Sequence, residues 1–179
     1  MLRRDNTGLI VIDIQGKLAN IVHDSDRLVA NAVALIKGMK ALDMPILWLE
    51  QNPEKLGATI PEISEALTPL EPITKYMFDG CGSEAFDKAV KQSNVTTWLV
   101  CGIEAHICVY QTVSSLIRLG YEIELVCDCV SSRALSNKEI AISKLTSKGA
   151  GKTSVEMCLY ELVGDCRATE FKEILGLIK

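Results

Sequence analysis

A chain of 179 residues, 48% of them hydrophobic and with a formal net charge of −4, is long enough for one domain with a sizeable core. The mild acidic balance argues against a nucleic-acid or membrane-surface partner. No apolar run is long enough to span a bilayer, and Met1 opens no basic and then apolar leader, so a soluble, cytoplasmic protein is expected.

In chain order, the first element is an apolar run at residues 9–13 that reads as a buried strand ending in Asp13. Leu28, Ala32, Leu35, Met39 and Leu42 then recur at helical steps of four and three, with Ser25 and Asp26 ahead of them as capping candidates. A second strand is predicted at residues 46–49. The longest irregular stretch follows at residues 51–71, with Pro53, Gly57, Pro61 and Pro69, and reads as a lid or an oligomer contact. A short run at residues 72–74 reads as a strand or an edge segment. Residues 83–92 predict a helix with Phe86 and Val90 on one face. A strong strand is predicted at residues 95–101, and a helical stripe of Val109, Val113, Leu116 and Ile117 after it is closed by Gly120. The fourth strand is predicted at residues 121–126. Beyond it, Cys127 and Cys129 flank Asp128 and share one side of the chain if it is extended there. A helix over residues 140–148 ends at Gly149, residues 152–155 could add a further strand, and Phe171, Ile174, Leu175 and Ile178 mark the last helix.

The four strong strands are nearly continuous in apolar residues rather than alternating, as strands covered by helices on both faces must be. Strand and helix alternate with short connections, which predicts a doubly wound α/β sandwich of three layers. Right-handed crossovers in such a fold bring the C-terminal ends of the strands to one edge, where ligands bind.

Seven cysteines, an odd number with no CxxC, form no disulfide framework, and two distant histidines, His23 and His106, supply no Cys/His zinc site. Three polar residues instead fall at predicted strand ends: Asp13, Lys75 after the run at 72–74, and Cys108 at the start of a helix. Each has an ordinary reading by itself, as a turn former, a surface lysine and an inert buried thiol. Together they make a coherent device. A lysine stabilises a thiolate, a carboxylate takes and returns the thiol proton, and backbone N–H groups receive an oxyanion. The helix N-terminus and Lys75 are both expected to pull the Cys108 thiol below its unperturbed pKa of about 8.5.

Residues 11–15 (Val-Ile-Asp-Ile-Gln), the run Lys75-Tyr76-Met77-Phe78-Asp79-Gly80 with Ser83 and Phe86, and the run Gly102-Ile103-Glu104-Ala105-His106-Ile107-Cys108-Val109 resemble the three motifs of the isochorismatase-like cysteine hydrolases. The three motifs come in the family's order, and the resemblance covers the chain from about residue 8 to residue 154. The segment Glu50-Gln51-Asn52-Pro53 is most similar to the small isochorismatase domain-containing members. The resemblance implies a single domain over residues 1–179 with a six-stranded parallel sheet. It implies a catalytic triad of Asp13, Lys75 and Cys108, and a cis peptide between Ile103 and Glu104 that turns the Glu104 N–H toward that of Cys108 as an oxyanion hole. It also implies a small-molecule substrate and a homo-oligomer, between dimer and octamer. Gln15, Tyr76 and Asp79 are the candidate substrate-facing groups, with a satisfied turn amide and a capping Asp as the competing readings of Gln15 and Asp79. His106 is read as a capping or packing residue.

Two departures narrow the chemistry. Nicotinamidases of this superfamily carry a metal on an Asp-x-His and further histidines after the second strand. Here that region reads Glu50-Gln51-Asn52, so neither a metal nor another cofactor is expected. Isochorismatases cleave a vinyl ether without a nucleophilic thiol at this position, so a retained Cys108 favours acyl chemistry. The expected activity is hydrolysis of a C–N bond in a small amide or carbamoyl compound through a thioester. A non-catalytic, oligomeric binding protein of the same fold is the competing reading.

Overall fold

Each of the four apolar runs forms a strand, and both short runs complete the sheet. In the computed structural model, which describes residues 1–179, the strands are β1 (Thr7–Ile12), β2 (Ile46–Gln51), β3 (Ile73–Lys75), β4 (Thr97–Ile103), β5 (Glu122–Ser131) and β6 (Gly151–Thr153). They lie in the order β3-β2-β1-β4-β5-β6, and every neighbouring pair is parallel. The helices are α1 (Gly16–Ile21), α2 (Ser25–Ala41), α3 (Pro53–Leu56), α4 (Pro61–Leu67), α5 (Glu84–Gln92), α6 (Tyr110–Arg118), α7 (Leu135–Ser147), α8 (Val155–Val163) and α9 (Phe171–Ile178).

Side chains of β1 alternate between two cores. Leu9 and Val11 join Leu35, Met39, Ile63, Leu159 and Ile174, from α2, α4, α8 and α9, on one face. Ile10 and Ile12 join Phe86, Val113, Leu116 and Leu145, from α5, α6 and α7, on the other. Burying one such aliphatic or aromatic side chain contributes about 1.5–3 kcal/mol, so both layers are needed to cover a sheet that is apolar on each side.

Four sequence expectations change in detail. The stretch at residues 51–71 is not irregular: it carries α3 and α4, and Ile63, Ala66 and Leu67 of α4 are buried. The run at residues 152–155 divides, because β6 stops at Thr153, and Ser154 caps α8 by accepting a hydrogen bond from the Met157 N–H at 3.3 Å. At α2 the cap position is held by Asp24 in the left-handed region, with no side-chain cap bond, so Ser25 and Asp26 lie inside the helix. Finally, β5 runs on to Ser131 and its register against β4 shifts between Val100 and Gly102. With that irregularity Cys127 packs toward one core and Cys129 lies in the other, so the two do not share a side.

The winding direction reverses between β1 and β4, the adjacent strands from which the two halves of the sheet grow. At such a switch point the following connections turn to opposite faces and leave a crevice at the C-terminal strand ends. Asp13 follows β1, Gln51 and Lys75 end β2 and β3, and the turn carrying Cys108 follows β4.

Candidate active site

Asp13 leaves β1 with φ +53°, in the left-handed region that a short polar side chain tolerates better than a branched one. Non-glycine residues held there cost about 1–3 kcal/mol and persist where surrounding contacts impose them. One such contact is the Asp13 N–H, which donates to the Leu49 carbonyl of β2 at 3.2 Å. Lys75, whose side chain is fully buried, donates from Nζ to Asp13 Oδ2 at 2.7 Å and to Gln51 Oε1 at 2.8 Å. Longer contacts of 3.4 Å reach the Met77 and Phe78 carbonyls. The other oxygen of the pair, Asp13 Oδ1, is buried with no hydrogen-bond partner in the protein.

Cys108 reaches the same point from β4. Gly102 has φ +133°, and a Cβ there would run into the Ile12 carbonyl of β1, so only glycine lets the two strand ends lie side by side. The Ile103–Glu104 peptide is cis. The chain then enters one π turn, Ala105–Val109, with the Val109 N–H donating to the Glu104 carbonyl at 3.3 Å, before α6 begins. Cys108 is therefore the fourth residue of a wide turn rather than the first residue of the helix.

Burial decides the electrostatics. It pushes the Cys108 thiol up, with the Asp13 charge adding to the effect and Lys75 only partly opposing it, to about 12. The expected depressed thiol is thus corrected: loss of solvent outweighs the lysine. Burial also raises Asp13, against the lowering effects of Lys75 and of the neighbouring Cys108 thiol. A carboxylate so raised is a stronger base than an ordinary aspartate, and it stands beside a thiol that keeps its proton until a base takes it.

Asp13 and Cys108 open on a cavity of about 90 Å³ whose walls include Gln15, Gln51 and Glu104. The remainder is apolar: Leu18, Leu56, Phe78, Ile103 and Ile107. Gln15 is present, but its amide is already committed. Its Oε1 accepts from the Gln51 N–H at 2.7 Å, and its Nε2 donates to the carbonyls of Gln51 and Gly57 at 3.2 and 2.7 Å. Tyr76 is 70% exposed and does not line the cavity, and it enters the local network through its carbonyl, which accepts from Gln51 Nε2 at 2.7 Å. Asp79 also lies outside the cavity. It accepts from the Cys81 N–H at 2.9 Å and from the Ser115 hydroxyl, so it caps the turn at Gly80–Gly82 and ties it to α6. Two of the three candidate substrate-facing side chains are therefore placed elsewhere. His106 packs beside Ser132, its Nδ1 at 2.9 Å from the hydroxyl.

Gln51, present in the sequence argument only within the segment at residues 50–53, holds Lys75 in the site, a role no motif assigned it. It pairs in register with Lys75 across β2 and β3, and a signal existed, since in a doubly wound sheet every strand's C-terminal residue is a candidate. The apolar walls Leu18, Leu56 and Phe78 come from helix and loop positions with no sequence signal of their own. Glu104 Oε1 accepts from the N–H and Nε of Arg133 at 3.1 and 3.0 Å, which anchors the turn to the segment entering α7. No group of three or more His, Cys, Asp or Glu side chains is placed to hold a metal ion, and no helix is long and apolar enough to cross a membrane.

Known proteins resemble this chain in sequence and in fold. The sequence model of the isochorismatase domain matches residues 7–157. Human isochorismatase domain-containing protein 2 is 32% identical over 172 residues, which cover 96% of this chain and 82% of that protein. A structure described as MAR1 ribonuclease from Caenorhabditis elegans superimposes with a TM-score of 0.93 at 32% identity, over 99% of this chain and 91% of that one. The YcaC gene product from Escherichia coli, described as an octameric hydrolase of unknown specificity, shares the fold with a TM-score of 0.93 at 21% identity, over 99% of this chain and 88% of that one. With Asp13, Lys75 and Cys108 gathered at the C-terminal edge of a six-stranded parallel sheet, and with the family model spanning most of the chain, this protein belongs to the isochorismatase domain family.

Proposed function

We propose that this protein is a metal-independent cysteine hydrolase that cleaves the C–N bond of a small amide or carbamoyl compound. The observation that carries the reading is the buried Asp13–Lys75 pair beside Cys108, with Asp13 Oδ1 left without a partner. Asp13 accepts the thiol proton as Sγ attacks the substrate carbonyl carbon, and the oxyanion is received by the Glu104 and Cys108 N–H groups. Asp13 then passes that proton to the leaving nitrogen as the C–N bond breaks, which leaves an acyl or carbamoyl thioester on Cys108. Water attacks the thioester carbonyl and gives its proton to Asp13. Collapse of that adduct breaks the C–S bond, and the proton returns to sulfur. Lys75 keeps Asp13 oriented and offsets the single negative charge that passes between Asp13 and the oxyanion.

A thiol at about 12 fits base-assisted attack rather than a standing thiolate. The ribonuclease description of the nematode relative fits this site less well. A polyanionic strand needs a cationic track, and the cation at this centre, Lys75, is fully buried and bonded to Asp13 and Gln51. A binding protein without catalysis has no need of an unpartnered carboxylate oxygen beside a buried thiol. The oligomeric state is proposed as dimer to octamer, after the octameric description of the bacterial relative. The deciding experiment is ammonia release from a panel of small amides, ureas and carbamoyl acids, with an RNA substrate run in parallel. Release that requires Cys108 supports the reading; RNA cleavage without amide hydrolysis overturns it.

A further inference from the structure

The walls around Cys108 restrict what can sit there, and this inference rests on the hydrolase reading above. The amide side chains at the cavity already have their partners within the protein. Gln15 is bonded to the main chain of Gln51 and Gly57, and Gln51 to Lys75 and the Tyr76 carbonyl. Lys75 presents no exposed surface and is neutralised by Asp13. Arg133, which pairs with Glu104, does not line the cavity. What faces a ligand is therefore the thiol, two carboxyl side chains and an apolar wall of Leu18, Leu56, Phe78 and Ile107. A carboxylate on the ligand would be desolvated here with no cation to meet it, close to the charge of Asp13, and burying an unpaired charge is among the largest penalties available. A volume of about 90 Å³ limits the ligand to a short acyl group.

We propose that this site selects small, uncharged amides with short apolar acyl groups and rejects carboxylate-bearing compounds of the same size. The test compares two isosteric alkylating agents, iodoacetamide and iodoacetate, at Cys108, with the exposed Cys166 of the same molecule as internal reference and peptide mapping as readout. The expected amide-to-acid rate ratio at Cys108 exceeds that at Cys166 by at least about tenfold. Equal ratios at the two thiols would overturn the proposal.

Turnover gives a second arm, with isovaleramide against malonamate, in which a carboxylate replaces an isopropyl group. A kcat/KM for isovaleramide at least about tenfold higher is expected, and equal or faster malonamate hydrolysis would overturn the selectivity. If neither amide releases ammonia while the alkylation preference stands, the hydrolase reading fails and the selectivity survives. Leu56 is 43% exposed, so Leu56→Lys places a cation at the rim without opening the core. This variant should narrow the Cys108 ratio by about fivefold or more. An unchanged ratio would take the preference away from the apolar wall and sink the assignment.

Discussion

Two clefts open near the C-terminal edge of the sheet, and both contain a cysteine, a carboxylate and a lysine. The larger, of about 270 Å³, holds Cys127, Asp128 and Lys138 together with His23 and Arg27. The smaller, of about 90 Å³, holds Cys108 and Asp13, with Lys75 behind them. The resemblance ends at commitment and burial. Both oxygens of Asp128 accept from the Val155 N–H, at 3.1 and 3.3 Å, and so serve the start of α8. Asp13 keeps one buried oxygen free, and Lys75 is fully enclosed while Lys138 is only half-buried. Residue types and cavity size thus do not identify chemistry. An uncommitted base in a dry setting is the better pointer, because charges there act on each other with little solvent screening.

The widest separation of the two clefts comes from removing the thiols. Cys108→Ala should lower kcat by roughly 10⁴-fold or more, as loss of a covalent nucleophile does, whereas Cys127→Ala should leave kcat/KM within about twofold. Comparable losses in ammonia-release assays would erase the distinction. The lysines should separate the clefts by stability. Lys75→Met leaves the Asp13 carboxylate buried and unpaired, at a cost of about 3–5 kcal/mol, against about 0.5 kcal/mol or less for Lys138→Met. Urea midpoints measure both, and a Lys75→Met loss under about 1 kcal/mol would mean that the ion pair is not as enclosed as described.

Alkylation sharpens the contrast further. The Cys108 rate should keep climbing with pH toward a midpoint near about 12, where a free cysteine levels off above about 8.5. A midpoint below the free value would restore the depressed thiol expected from sequence. Asp13 offers a smaller, signed effect. Its pKa is raised in the fold, so the native state binds its proton more tightly than the unfolded chain does. The stability this contributes is fully present below the unfolded value of about 3.9 and is lost as pH rises through the folded value. Urea denaturation in steps upward from pH 3.5 should therefore show wild type losing stability relative to Asp13→Asn as pH increases; the opposite slope would contradict the raised carboxyl. The smallest effect belongs to Tyr76→Ala, an exposed side chain outside the cavity, for which kcat/KM should change by no more than about twofold.

The fold was legible because a parallel sheet covered on both faces needs uninterrupted apolar strands, and residues 9–12, 46–49 and 97–101 supply them. The gathering of Asp13, Lys75 and Cys108 followed from topology, since strand ends share an edge whatever their distance in sequence. What stayed hidden depends on side-chain direction and solvent. Alternation sends Tyr76 outward once Lys75 turns in, but the motif alone does not say which of the two faces the site. Burial reversed the expected shift of the thiol, and burial cannot be read from a motif. The helix α8 escaped because Val155 to Val163 follow directly on a strand residue, Thr153, with Ser154 as the single punctuation. At β5 the register irregularity defeated the simple alternation that would have put Cys127 and Cys129 together.

The side chain of Gln15 has a consequence for how this protein can diversify. By accepting from the N–H of Gln51 and donating to its carbonyl, it imitates a peptide unit of a neighbouring strand just where β1 has turned away. Its second donor bond, to the Gly57 carbonyl, ties down the far end of the α3 segment. All three attachments are to main-chain atoms, so the tether is indifferent to which side chains occupy residues 54–56. Of these, Leu56 lines the cavity beside Asp13 and Cys108, so the tether holds an exchangeable side chain at its rim. A substitution there can change the rim of the cavity while the Asp13–Lys75 pair and the turn carrying Cys108 stay untouched.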